Sequence, residues 1–197
     1  MSTLLHVGCG PQNIQSLKGF STHGWSEIRL DIDPNVSPDV VGTLTDMSGV
    51  PDSSVNAVFS SHNIEHVFPH EVPLAVKEFH RVLADDGFIV LTCPDLQTVC
   101  EHVAAGRLFD TLYVSPAGPI APIDILYGHR APMELGNHYM AHKCGFTWSD
   151  LERFFKEAGF HTVLGGRSIE TYALKLLATK GPVSQTRSHE LVSLYLP

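Results

Sequence analysis

The segment that most constrains the fold is an apolar run that ends in a glycine turn. Residues 4–7, Leu-Leu-His-Val, lead directly into Gly8-Cys9-Gly10. A short apolar run closed by a turn signal reads as a fully buried strand. Glycines at its end let the backbone approach a ligand where any Cβ would collide. Pro11 suits the first position of a helix, because its missing N–H would be unpaired there anyway, so a helix is predicted over residues 11–20. Ile28, Leu30 and Ile32 then alternate in a second strand over residues 27–32, stopped by Asp33-Pro34. Asp31 lies 21 residues beyond Gly10, the spacing at which an acid accepts hydrogen bonds from ribose hydroxyls.

The rhythm continues downstream. A short third strand is predicted over residues 39–44 and a fourth over 55–60. Val72, Ala75, Val76, Phe79, Val82 and Leu83 follow a helical period over residues 71–83. Asp85-Asp86-Gly87 ends that helix, and a fifth strand over 88–92 closes at Cys93-Pro94-Asp95. Strands alternating with helices predict an α/β fold, a Rossmann-like doubly wound sheet that is mostly parallel with an antiparallel closing strand. Residues 106–147 break the rhythm with Pro116, Pro119, Pro122 and Pro132, and read as a long lid-like or acceptor-binding insertion. Thr147 is placed to cap a helix over 148–158 that stops at Gly159, and strands over 162–165 and 172–179 follow. Residues 1–180 form one domain in this reading, and 181–197 a tail or small extra element.

Composition bounds the function. The chain has 197 residues, 43% hydrophobic and 17% charged, with a net charge of −8. Those values describe a globular protein without a broad phosphate-binding surface, so nucleic acid is not an expected partner. The four cysteines include no CxxC pair, which fits a reduced, cytoplasmic protein. No signal peptide or membrane-length apolar run is present, so no membrane partner is expected.

The turn continues Pro11-Gln12-Asn13, so the third glycine of a dinucleotide fingerprint is absent. A ligand with a ribose but no pyrophosphate suits it better, which favours S-adenosylmethionine over NAD. Together with Leu30-Asp31-Ile32-Asp33-Pro34, Thr45-Asp46-Met47, the block from Ser60 to His66 and Glu78-Phe79-His80-Arg81-Val82-Leu83, the ordered set resembles class I S-adenosylmethionine-dependent methyltransferases. It is most similar to the small methyltransferase-type-11-like branch. The resemblance implies that Gly8-Cys9-Gly10 lines the methionine end of the cofactor and that Asp31, followed by Ile32, holds the ribose. It further implies that Asp46 binds the adenine amino group beside Met47, and that Ser61 and His62 flank the methionine or the acceptor. Gln12, Asn56 and Asp85-Asp86-Gly87 depart from the family pattern.

His62-Asn63-Ile64-Glu65-His66 also matches H-x-x-E-H, in which two histidines one helical turn apart ligate zinc and the glutamate activates water. A zinc hydrolase is thus an alternative, as is a module that binds S-adenosylmethionine without transferring methyl. Under the methyltransferase reading no metal ligand is assigned. A second histidine group, His129, His138 and His142, falls in the insertion. A neutral histidine there can take a proton from a hydroxyl or amine as it attacks the methyl, and His142 and His62 are the preferred candidates. The acceptor is expected to be a small molecule or a saccharide, methylated at oxygen or nitrogen. No helices precede the first strand to cover the cofactor, so the insertion, or the second subunit of a homodimer, is expected to do so.

Overall fold

The computed structural model describes residues 1–22, 24–115 and 117–197. Strands β1 (Ser2–Val7), β2 (Trp25–Asp31), β3 (Val40–Val41) and β4 (Val55–Ser61) run parallel, as does β5 (Leu83–Pro94) after helix α1 (Val72–Val82). Helix α2 (Leu96–Ala104), hairpin β6 (Tyr113–Ser115) and β7 (Gly118–Ile120), and helices α3 (Pro122–Tyr127) and α4 (Arg130–Glu134) come next. Helix α5 (Trp148–Glu157), strands β8 (Thr162–Ser168) and β9 (Ala173–Thr179), and helix α6 (Gln185–Tyr195) complete the chain. The large sheet has the order β3-β2-β1-β4-β5-β9-β8, and β9 is antiparallel to both of its neighbours. The expected mostly parallel sheet with its antiparallel closing strand is what forms. Strand order reverses between β1 and β4, the place where open α/β sheets bind ligands.

Alternation along the buried strands divides the core. Leu5, Val7, Val58, Ile89, Leu91, Leu174 and Leu176 pack under α1 and α5. Leu4, Ala57, Phe59, Phe88, Val90 and Leu177 face the other way, onto Leu17, Phe20 and Leu191 of α6. That second face corrects the helix predicted over residues 11–20, where only a single 3-10 turn forms at Ile14–Ser16. Its backbone is held by side chains of β2 instead: Ile14 N donates to Glu27 Oε2 at 2.9 Å, and Arg29 Nε to Gln12 O at 3.1 Å. Helix α6 covers the space a helix there would fill, with Tyr195 against Phe20 at 4.6 Å between ring centroids.

The third strand shrinks to two residues, and the fifth begins at Leu83, directly after α1. Thr147 caps α5 as expected, accepting from Asp150 N at 3.4 Å. The 106–147 segment is not a bare loop. Its Ile120 and Ile125 pack with Val99 of α2 in a small separate core, and buried Asp124 pairs with Arg130 Nε at 2.6 Å. Gly128, at φ +102°, lies so close to Met140 O that no side chain fits there, which folds residues 138–142 back against α3.

Candidate functional site

Because the strands are parallel, the ends of β1, β2 and β4 open at one edge, and the glycine turn lies between them. Gly8 and Gly10 both have positive φ, +67° and +52°. A Cβ on Gly8 would collide with the Asn63 amide beyond β4, so this glycine is required for close approach as well as for φ. Gly8 N and Cys9 N both donate to Leu30 O, and Gly10 N donates to Asp31 Oδ2 at 2.8 Å. Asp31 Oδ1 accepts from Asp33 N at 2.9 Å, which leaves lone pairs on both oxygens for further donors. Arg29, which carries no motif in the sequence, fastens the turn from below. Its guanidinium donates to Gly10 O (2.6 Å), Val36 O (3.2 Å) and Ser37 O (2.9 Å).

A cavity of about 450 Å³ opens above this turn. Gly8, Gly10, Asp31 and Ile32 line it; Gly42, Thr43, Leu44 and Thr45 close one end, and His62, Asn63 and His66 the other. Asn137, His138, Tyr139, Met140 and Lys143 of the insertion form the facing wall. The remaining expected cofactor residues lie elsewhere. Met47 is fully buried in the core, and Asp46 is exposed and accepts from Ser48 N. Ser61 Oγ is engaged by Thr92 Oγ1 at 2.7 Å, and the Cys9 side chain is buried, its thiol pushed up by that burial. Thr43, Leu44 and Thr45, just before Asp46 in the chain, line the cavity where Asp46 and Met47 do not.

Past His62, His66 and Met140 a second cavity of about 340 Å³ begins, walled by Tyr113, Ile125, His142 and Tyr172. His62 lines both cavities and has φ +49°, in the left-handed region that non-glycine residues seldom adopt. The H-x-x-E-H segment is a 3-10 turn, Ile64–His66, not a helix, so His62 and His66 do not share the helical face a zinc peptidase requires. Glu65 is 1% exposed, with His62 Nδ1 at 3.6 Å and His142 Nε2 at 4.0 Å from Oε1, contacts longer than hydrogen bonds. Burial favours the neutral acid, but His62, His66 and His142 outweigh it and hold the carboxyl below the usual range. Burial likewise opposes a charge on His62, and Glu65 outweighs it, raising the imidazole. For His142 burial dominates and lowers it. Its Nδ1 donates to Ile125 O at 2.7 Å, so Nε2 presents a lone pair to the cavity. His129 also reaches this cavity, whereas His138 lines the first.

Residues 5–91 match the sequence profile of a methyltransferase domain. No curated protein matches the chain significantly. An S-adenosylmethionine-dependent methyltransferase from Methanosarcina mazei is similar in structure with a TM-score of 0.57 and 16% identity, over 92% of this chain and 93% of that one. The 1,6-didemethyltoxoflavin-N1-methyltransferase of Burkholderia thailandensis, with 1,6-didemethyltoxoflavin and S-adenosylhomocysteine bound, gives 0.58 at 14% identity, over 92% and 72%. A chain of the complex between the Haloferax volcanii Trm112 methyltransferase activator and the putative methyltransferase gives 0.56 at 12% identity, over 93% and 84%. Residues 5–91 thus carry the methyltransferase-domain match, and the chain has the fold of class I S-adenosylmethionine-dependent methyltransferases. No helix among the described residues is long and apolar enough to cross a membrane, and all four cysteines are free.

Proposed function

We propose that the chain methylates an oxygen or nitrogen of a small-molecule acceptor, saccharides included, which enters the second cavity while the cofactor lies along the first. The observation that carries this reading is that the two cavities are neighbours, with His62, His66 and Met140 lining both. Gly8 and Gly10 would give the methionine end backbone access, Asp31 would accept from the ribose, and Ile32 with residues 43–45 would enclose the adenine. Residues 137–143 supply the cover from within the chain, so no second subunit is required for it. The toxoflavin-type acceptor of the Burkholderia neighbour supports a small molecule, at the level of fold analogy only.

When bound, S-adenosylmethionine supplies an electrophilic methyl: the acceptor atom bonds to its carbon, the carbon–sulfur bond breaks with its electron pair returning to sulfur, and S-adenosylhomocysteine leaves. The protein has to orient the acceptor in line and keep water out. Where the acceptor loses a proton, His62 takes it, steadied by Glu65, while His142 directs its Nε2 into the acceptor cavity. Incubation with methyl-labelled S-adenosylmethionine and a panel of small hydroxyl and amine compounds tests this. Label should pass to at least one of them and fall at least tenfold in His62→Ala. Transfer to none, or only to protein or nucleic acid, would overturn the acceptor assignment.

A further inference from the structure

Beyond steadying His62, the Glu65 carboxylate at the junction of the two cavities has hydrogen-bonding capacity left unused. Both oxygens of the buried Glu65 carboxylate lack a hydrogen-bond partner among the described residues. A buried carboxylate in that condition is strongly disfavoured unless a cation balances it. Two imidazoles face it in a fixed tautomer. His66 Nδ1 donates to Ala141 O at 3.0 Å and His142 Nδ1 to Ile125 O at 2.7 Å, which leaves the Nε2 of each ring outside those bonds, that of His142 4.0 Å from Glu65 Oε1. Donation of the outer N–H to a backbone carbonyl is how metal-ligating histidines are oriented. One ligand atom each from Glu65, His66 and His142 all lie within 4.8 Å of one another. Three potential ligand atoms, from two imidazoles and a carboxylate, thus lie close together.

The backbone builds this convergence from distant parts of the chain. Lys143 N and Cys144 N both donate to Glu65 O, at 2.8 and 3.2 Å, which brings His142 to the turn that carries Glu65 and His66. The two rings meet edge to face at 4.9 Å.

We propose that Glu65, His66 and His142 bind one divalent transition-metal ion whose open positions face the acceptor cavity. Two imidazoles and one carboxylate without thiolate suit zinc, manganese, cobalt or ferrous iron, and a three-ligand set leaves room for a further ligand. Resting on the acceptor assignment above, the ion would hold the acceptor hydroxyl or amine and ease its loss of a proton to His62. This departs from the zinc-peptidase pattern: Glu65 is a ligand here and not a base, His62 stays outside the set, and His142 replaces it.

The test uses full-length protein stripped with a chelator, dialysed, and titrated with Co²⁺ alone while visible absorption is followed. One Co²⁺ per chain is expected, with a ligand-field band, displacement by Zn²⁺ and a raised melting temperature. Binding should weaken at least a hundredfold in Glu65→Gln and His142→Ala and persist in the surface variant His161→Ala. Should either site variant fail to fold, the wild-type titrations with Co²⁺, Zn²⁺ and Mn²⁺ decide alone. Failure of the wild type to take up any of the three stoichiometrically, or unchanged affinity in a folded Glu65→Gln, overturns the site. A parallel titration of the stripped protein with S-adenosylhomocysteine separates the two readings. Cofactor binding without metal removes the ion and leaves the methyltransferase assignment, and metal binding without cofactor does the reverse.

Discussion

The amide of Gly10 donates to Asp31 Oδ2 at 2.8 Å, so one carboxylate both fixes the glycine turn and faces the cavity above it. Asp31→Asn replaces one acceptor oxygen by a donor and leaves either Gly10 N or Asp33 N without its partner. Charge-assisted bonds of this kind contribute about 1.5–3 kcal/mol each. Calorimetry with S-adenosylhomocysteine should therefore show affinity at least tenfold weaker than wild type.

Gly8→Ala tests the turn itself. Its φ of +67° costs a non-glycine residue about 1–3 kcal/mol, and the new Cβ must displace Asn63. The expected result is a lower melting temperature together with weakened S-adenosylhomocysteine binding; a variant with neither change would contradict the packing described.

Arg29 joins the turn after β1 to the loop after β2 through carbonyls of Gly10, Gln12, Val36 and Ser37. Arg29→Met should loosen both loops and weaken the cofactor analogue by about tenfold, given bonds of about 1.5–3 kcal/mol each. Arg29→Lys should recover only part of that, because an ammonium is a compact point charge and cannot span the same set of acceptors.

Glu78 and Arg81 give the acid side of the stability profile. Arg81 holds the Glu78 carboxyl below its usual range, and Glu78 Oε2 accepts from Met47 N while Arg81 donates to Met47 O and Val50 O. A depressed carboxyl adds stability that is complete above the unfolded-state value, about 4.3, and is lost as pH falls through the lower folded value. Denaturant titrations from pH 6 downward should show stability declining in the acid range, with a shallower decline in Glu78→Gln. Parallel curves would assign the acid sensitivity to other groups.

How much of this was legible follows from where each partner lies. The strand–glycine turn, Asp31 and α1 can be read locally, since buried parallel strands are continuous apolar runs and α1 keeps its period. The helix over residues 11–20 was misread because Pro11 signalled a start, whereas Glu27 and Arg29 of β2 satisfy that backbone. Asp46 and Met47 rest on resemblance alone, and a tight turn between Thr43 and Asp46 points residues 43–45 to the cavity, Asp46 to solvent and Met47 into the core. Glu65 is legible in the sequence as part of the Ser60–His66 block and of the zinc pattern. Its convergence with His142 depends on a segment more than 70 residues away, docked by backbone bonds that no local pattern announces.

The most direct test of the account is a crystal structure of the full chain with S-adenosylhomocysteine. The account places its ribose on Asp31, its adenine against residues 43–45 and its sulfur at the opening beside His62 and His66, facing the second cavity. A ligand bound elsewhere, or one whose sulfur points away from that opening, would contradict it.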